Sequence, residues 1–228
     1  MRTVAKRPSG ITSGARRKKL TPNRTERILL VGLDLFSRKD FSAVTIKNIA
    51  HAAKINSALI YYYFQNKEDL FKASIEYAIL QALENYRRLK EKHTNPVDLI
   101  NDWFDNNIEM SVSFRKLIKI MLDYSHSPNR LNSVDRLIKH FYDEEMSILS
   151  KSVREGIALG LFESIDPEQV AQFASVNLDG IMVASIIRSD LDVKAAVANL
   201  RDLFWHYLGY SGNRGREKAR KAILAYRR

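Results

Sequence analysis

Three consecutive tyrosines, Tyr61, Tyr62 and Tyr63, stand just before Lys67 in the stretch from Phe41 to Phe71. A tyrosine ring can pack on thymine methyl groups and sugars, and its hydroxyl can donate to a phosphate oxygen. Successive residues of a helix lie about 100° apart, so three successive tyrosines cannot all be buried on one helix. These residues indicate a surface for nucleic acid. The open alternative is that Tyr61 packs inside a small head while Tyr62 and Tyr63 lie on its surface.

Lys67 follows Asn66, which is a suitable cap for a helix that opens with the sequence Lys-Glu-Asp. The N-terminus of a helix carries partial positive charge and unpaired N–H groups. A lysine in its first turn adds a full charge, so this position favours phosphate binding.

Motifs for enzyme chemistry are missing from the sequence. It has no Gly-rich phosphate loop, no H-E-x-x-H motif and no cysteine for nucleophilic work. Asp123 and His126 are three residues apart and could be two metal ligands, but an exposed helix end explains them more simply. The acidic pair Glu144-Glu145 fits a solvated helix face better than acid/base catalysis. We therefore expect no enzyme, no metal and no cofactor.

Composition and charge set the outer limits of the interpretation. The chain has 228 residues, 45% of them apolar, no cysteine and a formal net charge of +11. No run of eighteen apolar residues predicts a transmembrane helix, and no apolar segment follows the N-terminal charges as in a secretory signal. Residues 1–24 carry +8 and residues 211–228 carry +6, which leaves −3 for residues 25–210. Such basic tails are typical of disordered segments, and a phosphate-binding arm is the alternative.

The stretch around the tyrosines reads as three short helices. Apolar residues predict a first helix from Thr25 to about Ser37, and Thr45 is a good N-cap for a second one. Asn56 or Ser57 caps a third helix, whose core positions are the apolar residues four apart, Ile60 and Phe64. Only Lys54 and Ile55 separate the second and third helices, which is the short turn of a helix-turn-helix unit.

These residues resemble the N-terminal domain of the TetR family of bacterial transcriptional regulators. The family pattern is close to T-x3-I-A-x2-A-G-V-S-x-G-x2-Y-x-[HY]-F-x2-K-x2-L. The positions that agree in register are Thr45, Ile49, Ala50, Ala53, Ile55, Tyr61, Tyr63, Phe64, Lys67 and Leu70. Asn56 replaces the capping serine, and Lys54 and Ala58 stand where the family has glycine. A non-glycine residue in a left-handed turn costs about 1 kcal/mol, which a domain of this size tolerates.

The resemblance implies an all-α fold with a DNA-binding head at residues 25–72 and a helical ligand-binding and dimerisation body at residues 73–210. It implies phosphate contacts from Thr45, Tyr62 and Lys67. It also implies contacts to base edges or thymine methyl groups from Lys47, Ser57, Leu59, Tyr61 and Tyr63. A solvated side chain is the alternative for Lys47. The family is bacterial and cytoplasmic, and it associates with the nucleoid when bound to DNA.

The body is rich in large apolar residues, and in the family such helices surround a cavity for a small effector. The candidate pocket residues are Trp103, Phe104, Met110, Phe114, Met121, Tyr124, Phe141, Tyr142 and Met146. Simple core packing is the alternative for each of them. Helices are predicted to begin at Pro96 and to span Phe114–Tyr124 and Leu131–Leu159, with a break at Ser127-Pro128-Asn129.

The last two long helices resemble the pair that forms a four-helix bundle between two subunits in the family. The first of them is capped by Asp166 and opened by Pro167, and the second ends at Gly209. The candidate interface residues are Phe173, Leu178, Ile181, Met182, Ser185, Val197, Leu200 and Phe204. A hairpin within one subunit is the alternative.

The sequence thus predicts a dimeric regulator, a repressor that binds a palindromic operator in double-stranded DNA and is released by a small lipophilic or aromatic effector. Two heads can span half-sites about 34 Å apart. The alternative function is a sequence-indifferent binder of nucleic acid or anionic surfaces that acts through the basic tails.

Overall fold

The computed structural model describes residues 24–126 and 130–210. This part of the chain is all α-helical apart from turns and one short 3₁₀ turn at Phe41–Ala43, so the predicted fold class is confirmed. The helices are α1 Arg24–Arg38, α2 Ile46–Ala52, α3 Ser57–Tyr63, α4 Lys67–Lys92, α5 Pro96–Glu109, α6 Ser111–Ser125, α7 Asn132–Ala158, α8 Pro167–Ile187 and α9 Val193–Tyr207. The predicted break at 127–129 and the basic tails, except for Arg24, lie outside the described residues.

Side-chain caps fix where several helices begin. Asn56 accepts a hydrogen bond from the backbone of Ala58 at the start of α3, so Asn56 rather than Ser57 is the cap. Asn66 accepts from the backbone of Asp69 at the start of α4. Asp166 accepts from the first turn of α8, where Pro167 occupies N1. These short polar side chains satisfy N–H groups that have no partner within the helix.

The head consists of α1, α2, α3 and the first turns of α4 around one apolar core. Ile49 and Ile60 are fully buried, as predicted for the inner faces of α2 and α3. Phe36 and Phe71 meet edge to face with ring centroids 4.9 Å apart, which joins α1 to α4. Gly32 lets these two helices approach closely, because a Cβ there would meet the Ser74 hydroxyl at 3.0 Å.

The body is a bundle in which α4 runs without a break from the head into the larger core. α7 packs against α8, α4 and α5, while α8 also packs against α6 and α9. α1 contacts α6 as well as α4, so the first helix of the head rests on two helices of the body. The predicted boundary between residues 72 and 73 therefore falls inside one continuous helix.

Helix α8 is apolar on more than one side. Among the described residues it is the one helix with the length and composition to cross a membrane, and 39% of its most apolar window is buried. It nevertheless carries Ser175 and Asp179, which form hydrogen bonds with side chains of α7, and Ser185, which is buried. A helix with these internal polar contacts fits the core of a helical bundle.

Candidate nucleic-acid interface

The turn between α2 and α3 has the geometry of a helix-turn-helix unit. Lys54 has a φ of 53°, the left-handed conformation in which the related pattern has glycine, and it is the one non-glycine residue with positive φ in the described part of the chain. The N–H of Ile55 donates to the carbonyl of Ala50 at 3.0 Å, which closes the end of α2. Ala53 is fully buried, and its small side chain lets α3 cross close to α2.

The three tyrosines of α3 are all on the surface. Tyr61 and Tyr62 are 58% and 72% exposed, so the alternative that Tyr61 packs inside the head is wrong. Tyr63 is also exposed, and its ring meets that of Tyr62 edge to face at 5.1 Å. The core side of α3 is formed instead by Ile60, which is fully buried. The helix thus presents an aromatic face to solvent while an aliphatic side chain anchors it.

Thr45 is held in a capping box at the start of α2. Its hydroxyl accepts from the N–H of Asn48 at 3.1 Å and lies 2.8 Å from the Asn48 amide oxygen, to which it donates. The Thr45 N–H donates to the same amide oxygen at 3.0 Å. The hydroxyl proton expected to contact phosphate is therefore engaged within the head. Asn48 is exposed and was not among the predicted contact residues.

Lys67 makes contacts within the head that the sequence did not predict. Its ammonium donates to the carbonyl of Phe41 at 2.8 Å and lies 4.2 Å from the centre of the Phe41 ring. This contact ties the start of α4 to the 3₁₀ turn before α2. A lysine ammonium has three donors, so two remain for a phosphate.

The remaining predicted contact residues are all at least partly accessible to solvent. Lys47 is exposed in the first turn of α2, and Ser57 and Leu59 are half-buried on α3. Ala58 is exposed between them. The predicted contact residues of α2 and α3 thus belong to one helix-turn-helix unit, and none of them is fully buried.

The predicted pocket residues of the body divide into two groups. Phe114, Met121 and Phe141 line an internal cavity of about 20 Å³, whose other walls include Tyr86, Asn107, Glu145 and Asp179. Met110 and Phe114 line a neighbouring cleft of about 280 Å³ between α1, α4 and α6. The predicted residues that line neither space are Trp103, Phe104, Tyr124, Tyr142 and Met146. Of these, Trp103, Phe104 and Tyr124 are buried as core side chains.

Glu145 lies inside the body, so the expectation of a solvated acidic pair is wrong for this residue. It is 3% exposed, while Glu144 faces outward and pairs with Lys90 at 2.6 Å. Tyr86 donates to Oε1 of Glu145 at 2.7 Å, and Ser175 donates to Oε2 at 2.5 Å. Burial raises the pKa of Glu145 to about 7 despite these hydrogen bonds. Periodicity could have found it, because Glu145 lies four residues after Phe141 on the inner face of α7.

Asp179 lies beside Glu145 on the facing helix α8. Tyr142 donates to its Oδ2 at 2.9 Å. Burial raises the pKa of Asp179, and the negative charge of Asp179 adds to the rise in the pKa of Glu145. The pKa of Tyr86 and that of Tyr142 are also raised, first by burial and then by these carboxylates. The cavity is therefore an acidic and aromatic site inside an apolar core.

Most of the predicted dimer-interface residues face the interior of the subunit. Those that are buried are Leu178, Met182, Ser185, Val197, Leu200 and Phe204. Ile181 is half-buried, and only Phe173 is exposed. Apart from Phe173, the large apolar residues that α8 and α9 leave at the surface were not predicted. They are Val176, Ile186, Ile187, Leu203 and Tyr207.

In the described part of the chain, no three His, Asp or Glu side chains are grouped so that they could hold a metal ion. Asp123 instead pairs with Lys119 at 2.8 Å. His126 lies at the end of α6, and its Nδ1 lies 2.9 Å from the carbonyl of Leu122.

A helix-turn-helix unit with an exposed aromatic reading helix, joined by a long helix to a larger helical body, defines the class of helix-turn-helix DNA-binding regulators. Comparison with known proteins gives the family. The family model described as "Bacterial regulatory proteins, tetR family" matches residues 28–74. The N-terminal domain therefore belongs to the TetR family of bacterial transcriptional regulators. These proteins are DNA-binding transcription factors and not enzymes, which agrees with the sequence prediction.

One curated relative is the biofilm operon icaADBC HTH-type negative transcriptional regulator IcaR of Staphylococcus epidermidis. It is 25% identical over 119 residues, which are 52% of this chain and 61% of that protein. A solved TetR transcription regulator from Haloarcula marismortui is 18% identical, covers 82% of this chain and 97% of its own, and has a TM-score of 0.67. The complex of SmeT with triclosan is 21% identical, covers 81% of this chain and 91% of its own, and has a TM-score of 0.65.

Proposed function

We propose that this protein is a dimeric repressor that reads a palindromic operator with α3 and releases it when a small molecule enters the body. The observation that carries the proposal is the exposed face of α3, where Tyr61, Tyr62 and Tyr63 stand outside a head whose core is otherwise closed. Large aromatic side chains at the surface of a monomer mark contact sites. Their place on the second helix of a helix-turn-helix unit makes the DNA major groove the partner.

The proposed DNA contacts of each side chain follow from its position in the helix-turn-helix unit. Tyr62 and the free donors of Lys67 contact phosphates, and the outward amide of Asn48 joins them. Tyr61 and Tyr63 contact bases or thymine methyl groups, together with Lys47, Ser57 and Leu59 from the same surface. Thr45 acts mainly by holding α2 in place through its capping box.

Dimerisation is proposed through the exposed apolar face of α8 and α9. Val176 and Leu203 are 61% and 60% exposed, and the rings of Phe173 and Tyr207 lie 6.5 Å apart on adjacent helices. A Cβ at Gly180 would meet no atom within 4 Å, so this position leaves room for a partner helix. An apolar surface shared by two helices is stabilised when a second copy covers it.

A small lipophilic or aromatic effector is proposed for the cavity and cleft of the body. The likeness to SmeT, whose structure has been solved with triclosan, supports a fold that accommodates a small molecule. The cleft is bounded by α1 of the head on one side and by α4 and α6 of the body on the other. Lys116 on α6 also pairs with Asp34 on α1. A ligand that moves α4 or α6 would therefore shift the heads away from the spacing of adjacent major grooves.

The test of DNA recognition is selection of bound fragments from random DNA, followed by affinity measurements on the selected sequence. Tyr61→Ala should weaken binding to this sequence about 5- to 150-fold and relax specificity at one position in each half-site. Tyr62→Ala should weaken all sequences alike. Leu80→Ala is the matched control, because Leu80 is also an exposed apolar side chain but lies on α4 within the body. Selection of no common sequence would refute the proposal.

The test of dimerisation is sedimentation of Leu203→Arg beside Leu80→Arg. Both variants place a charge at an exposed leucine, but only the first lies on the α8–α9 face. We expect a monomer for Leu203→Arg, with loss of tight operator binding, and a dimer for Leu80→Arg. A dimer in both variants would place the interface elsewhere.

The second candidate function is binding through the basic tails without sequence preference. Its support is the charge of +14 that the tails carry against −3 for residues 25–210. Removing residues 1–24 and 214–228 separates the two functions. Specific operator binding should survive this truncation under the first function, whereas all binding should be lost under the second.

A further inference from the structure

We propose that the effector is an organic cation, a quaternary ammonium ion or protonated amine, that binds against the carboxylates of Glu145 and Asp179 between α4, α6, α7 and α8. This inference rests on the proposed function, because it names the chemical class of the ligand for the effector site. The observations that carry it are two acidic side chains without a cationic partner, the aromatic rings around them and an adjoining cleft.

The two carboxylates retain the capacity to accept further interactions. Oε1 and Oε2 of Glu145 each accept one hydrogen bond, from Tyr86 and Ser175. Asp179 accepts one from Tyr142. A carboxylate has about four acceptor sites, so neither group is saturated by these hydroxyls. Both side chains line the same cavity.

Among the described residues, no Lys, Arg or His forms an ion pair with Glu145 or Asp179, and none lines their cavity. Helices α5 and α8, which border the site, contain no Lys, Arg or His. On α6, Lys116 pairs with Asp34 and Lys119 pairs with Asp123. On α4, Lys90 pairs with the outward-facing Glu144. Without a cation these buried acids are favoured in their protonated form, and a ligand that supplies the positive charge would stabilise them as carboxylates.

Aromatic rings complete the site. Tyr86 and Phe141 line the cavity and stack with ring centroids 5.5 Å apart. The ring of Tyr142 packs on Phe141 at 5.1 Å and carries the hydroxyl that reaches Asp179. The faces of aromatic rings attract alkylammonium groups, most strongly where water is excluded. Acids and rings together favour a cation over a neutral lipophile.

The room for such a ligand comes from the neighbouring cleft. The inner cavity of about 20 Å³ holds no more than a water molecule in this conformation. Phe114 and Leu117 line both the cavity and the cleft of about 280 Å³. If the Phe114 ring turns aside, the joined space reaches the lower end of small-molecule sites, roughly 300 Å³. Because Leu30 and Leu33 of α1 line the cleft, a ligand there would also touch the head.

The experiment compares each cation with a neutral molecule of the same shape. The probes are choline with 3,3-dimethylbutan-1-ol, and phenyltrimethylammonium with tert-butylbenzene. Binding to the full chain is measured by calorimetry at pH 8, and release is measured on the selected operator. We expect at least one cation to bind about tenfold or more tightly than its neutral counterpart. The same cation should release the DNA.

Glu145→Gln tests the carboxylate directly. This variant keeps the size and an acceptor for Tyr86, and it should lose about tenfold or more of the cation affinity while the neutral probe binds as before. Glu144→Gln is the matched control, because Glu144 is the adjacent residue but faces outward to Lys90. It should bind the cation as the wild type does. Equal affinity for cation and neutral probe, or an unchanged affinity in Glu145→Gln, would overturn the proposal.

If Glu145→Gln does not fold, the pH dependence of cation binding to the wild type tests the proposal instead. Quaternary cations do not titrate, so their affinity for the wild type should rise between pH 5.5 and 8 as Glu145 ionises. The titratable groups that face Glu145 are Tyr86 from α4, Tyr142 from α7 and Asp179 from α8, and the cavity-lining residues of α5 and α6 include none. A flat profile would count against the proposal. Operator selection does not depend on cation binding. If the protein binds its operator but no cation, the cationic effector is refuted and the proposed DNA-binding function stands.

Discussion

Glu145 should make the unliganded protein less stable as the pH rises. Its carboxyl has a pKa of about 7 in the folded chain against an ordinary value of 4.5. Each unit of difference corresponds to 1.36 kcal/mol, so ionised Glu145 costs the folded state about 3 kcal/mol. Below pH 4.5 both the folded and the unfolded chain carry the proton and the cost is absent. It grows as the pH rises from 4.5 to 7 and is complete above that.

The substitution Glu145→Gln removes this cost, because a glutamine cannot ionise. We therefore expect the stability advantage of the variant over the wild type, as a difference in unfolding free energy, to depend on pH. This advantage should be about 3 kcal/mol larger at pH 8 than at pH 4.5. Urea unfolding followed by circular dichroism, at equal protein concentration at each pH, measures this difference. The pH dependence of all other groups is shared by the two proteins and cancels.

Glu144→Gln is a control for which the carboxyl group is expected to affect stability in the opposite direction. Hydrogen bonding to Lys90 lowers the pKa of Glu144, so this group stabilises the fold above its ordinary pKa and the contribution is lost as the pH falls. Its partly exposed ion pair contributes under about 1 kcal/mol, so Glu144→Gln should be slightly destabilising at pH 8. A pH-independent difference between Glu145→Gln and the wild type would refute the claim that a buried carboxyl titrates here.

Substitutions at three further positions should change the unfolding free energy measured in urea. Lys54→Gly should raise the unfolding free energy by up to about 1 kcal/mol because glycine adopts positive φ without strain, whereas Lys54→Ala should not. Thr45→Ala breaks the capping box with Asn48 and should cost about 1 kcal/mol, most of which Thr45→Ser should retain. Gly156→Ala should cost about 1 to 3 kcal/mol, because its methyl group would overlap the buried Phe162 ring.

Local signals made several helix boundaries predictable, although α6 begins at Ser111, three residues before the predicted Phe114. The start of α5 at Pro96 agrees with the prediction, and the predicted segment Leu131–Leu159 agrees with α7 to within one residue at each end. Caps and prolines act on the turn in which they stand, so a single sequence contains what is needed to place them. The left-handed conformation of Lys54 was implied by the resemblance to the TetR pattern, which has glycine at this position.

The chemistry of the site was harder to predict where it depends on packing between distant helices. Lys67 was expected at a phosphate, yet its ammonium contacts Phe41, which lies 26 residues earlier in the chain. Glu145 was expected in solvent, yet Tyr86 and Ser175 from two other helices enclose it. Composition and periodicity describe one helix at a time. They do not show which partner will bury a given face.

Helix α8 shows why the exposed face proposed for dimerisation could not be predicted from the sequence. Its residues Ala174, Leu178 and Met182 recur every four positions and are buried within the subunit, whereas Phe173 and Val176 on the other side are exposed. The sequence prediction combined both sides, because a helix that is apolar all round has no preferred face. Such a helix is stable in water only if both sides are covered. Since α6, α7 and α9 cover one side, the exposed side is where the proposed second copy of the chain would pack. The dimer proposal thereby names other residues than the sequence prediction did.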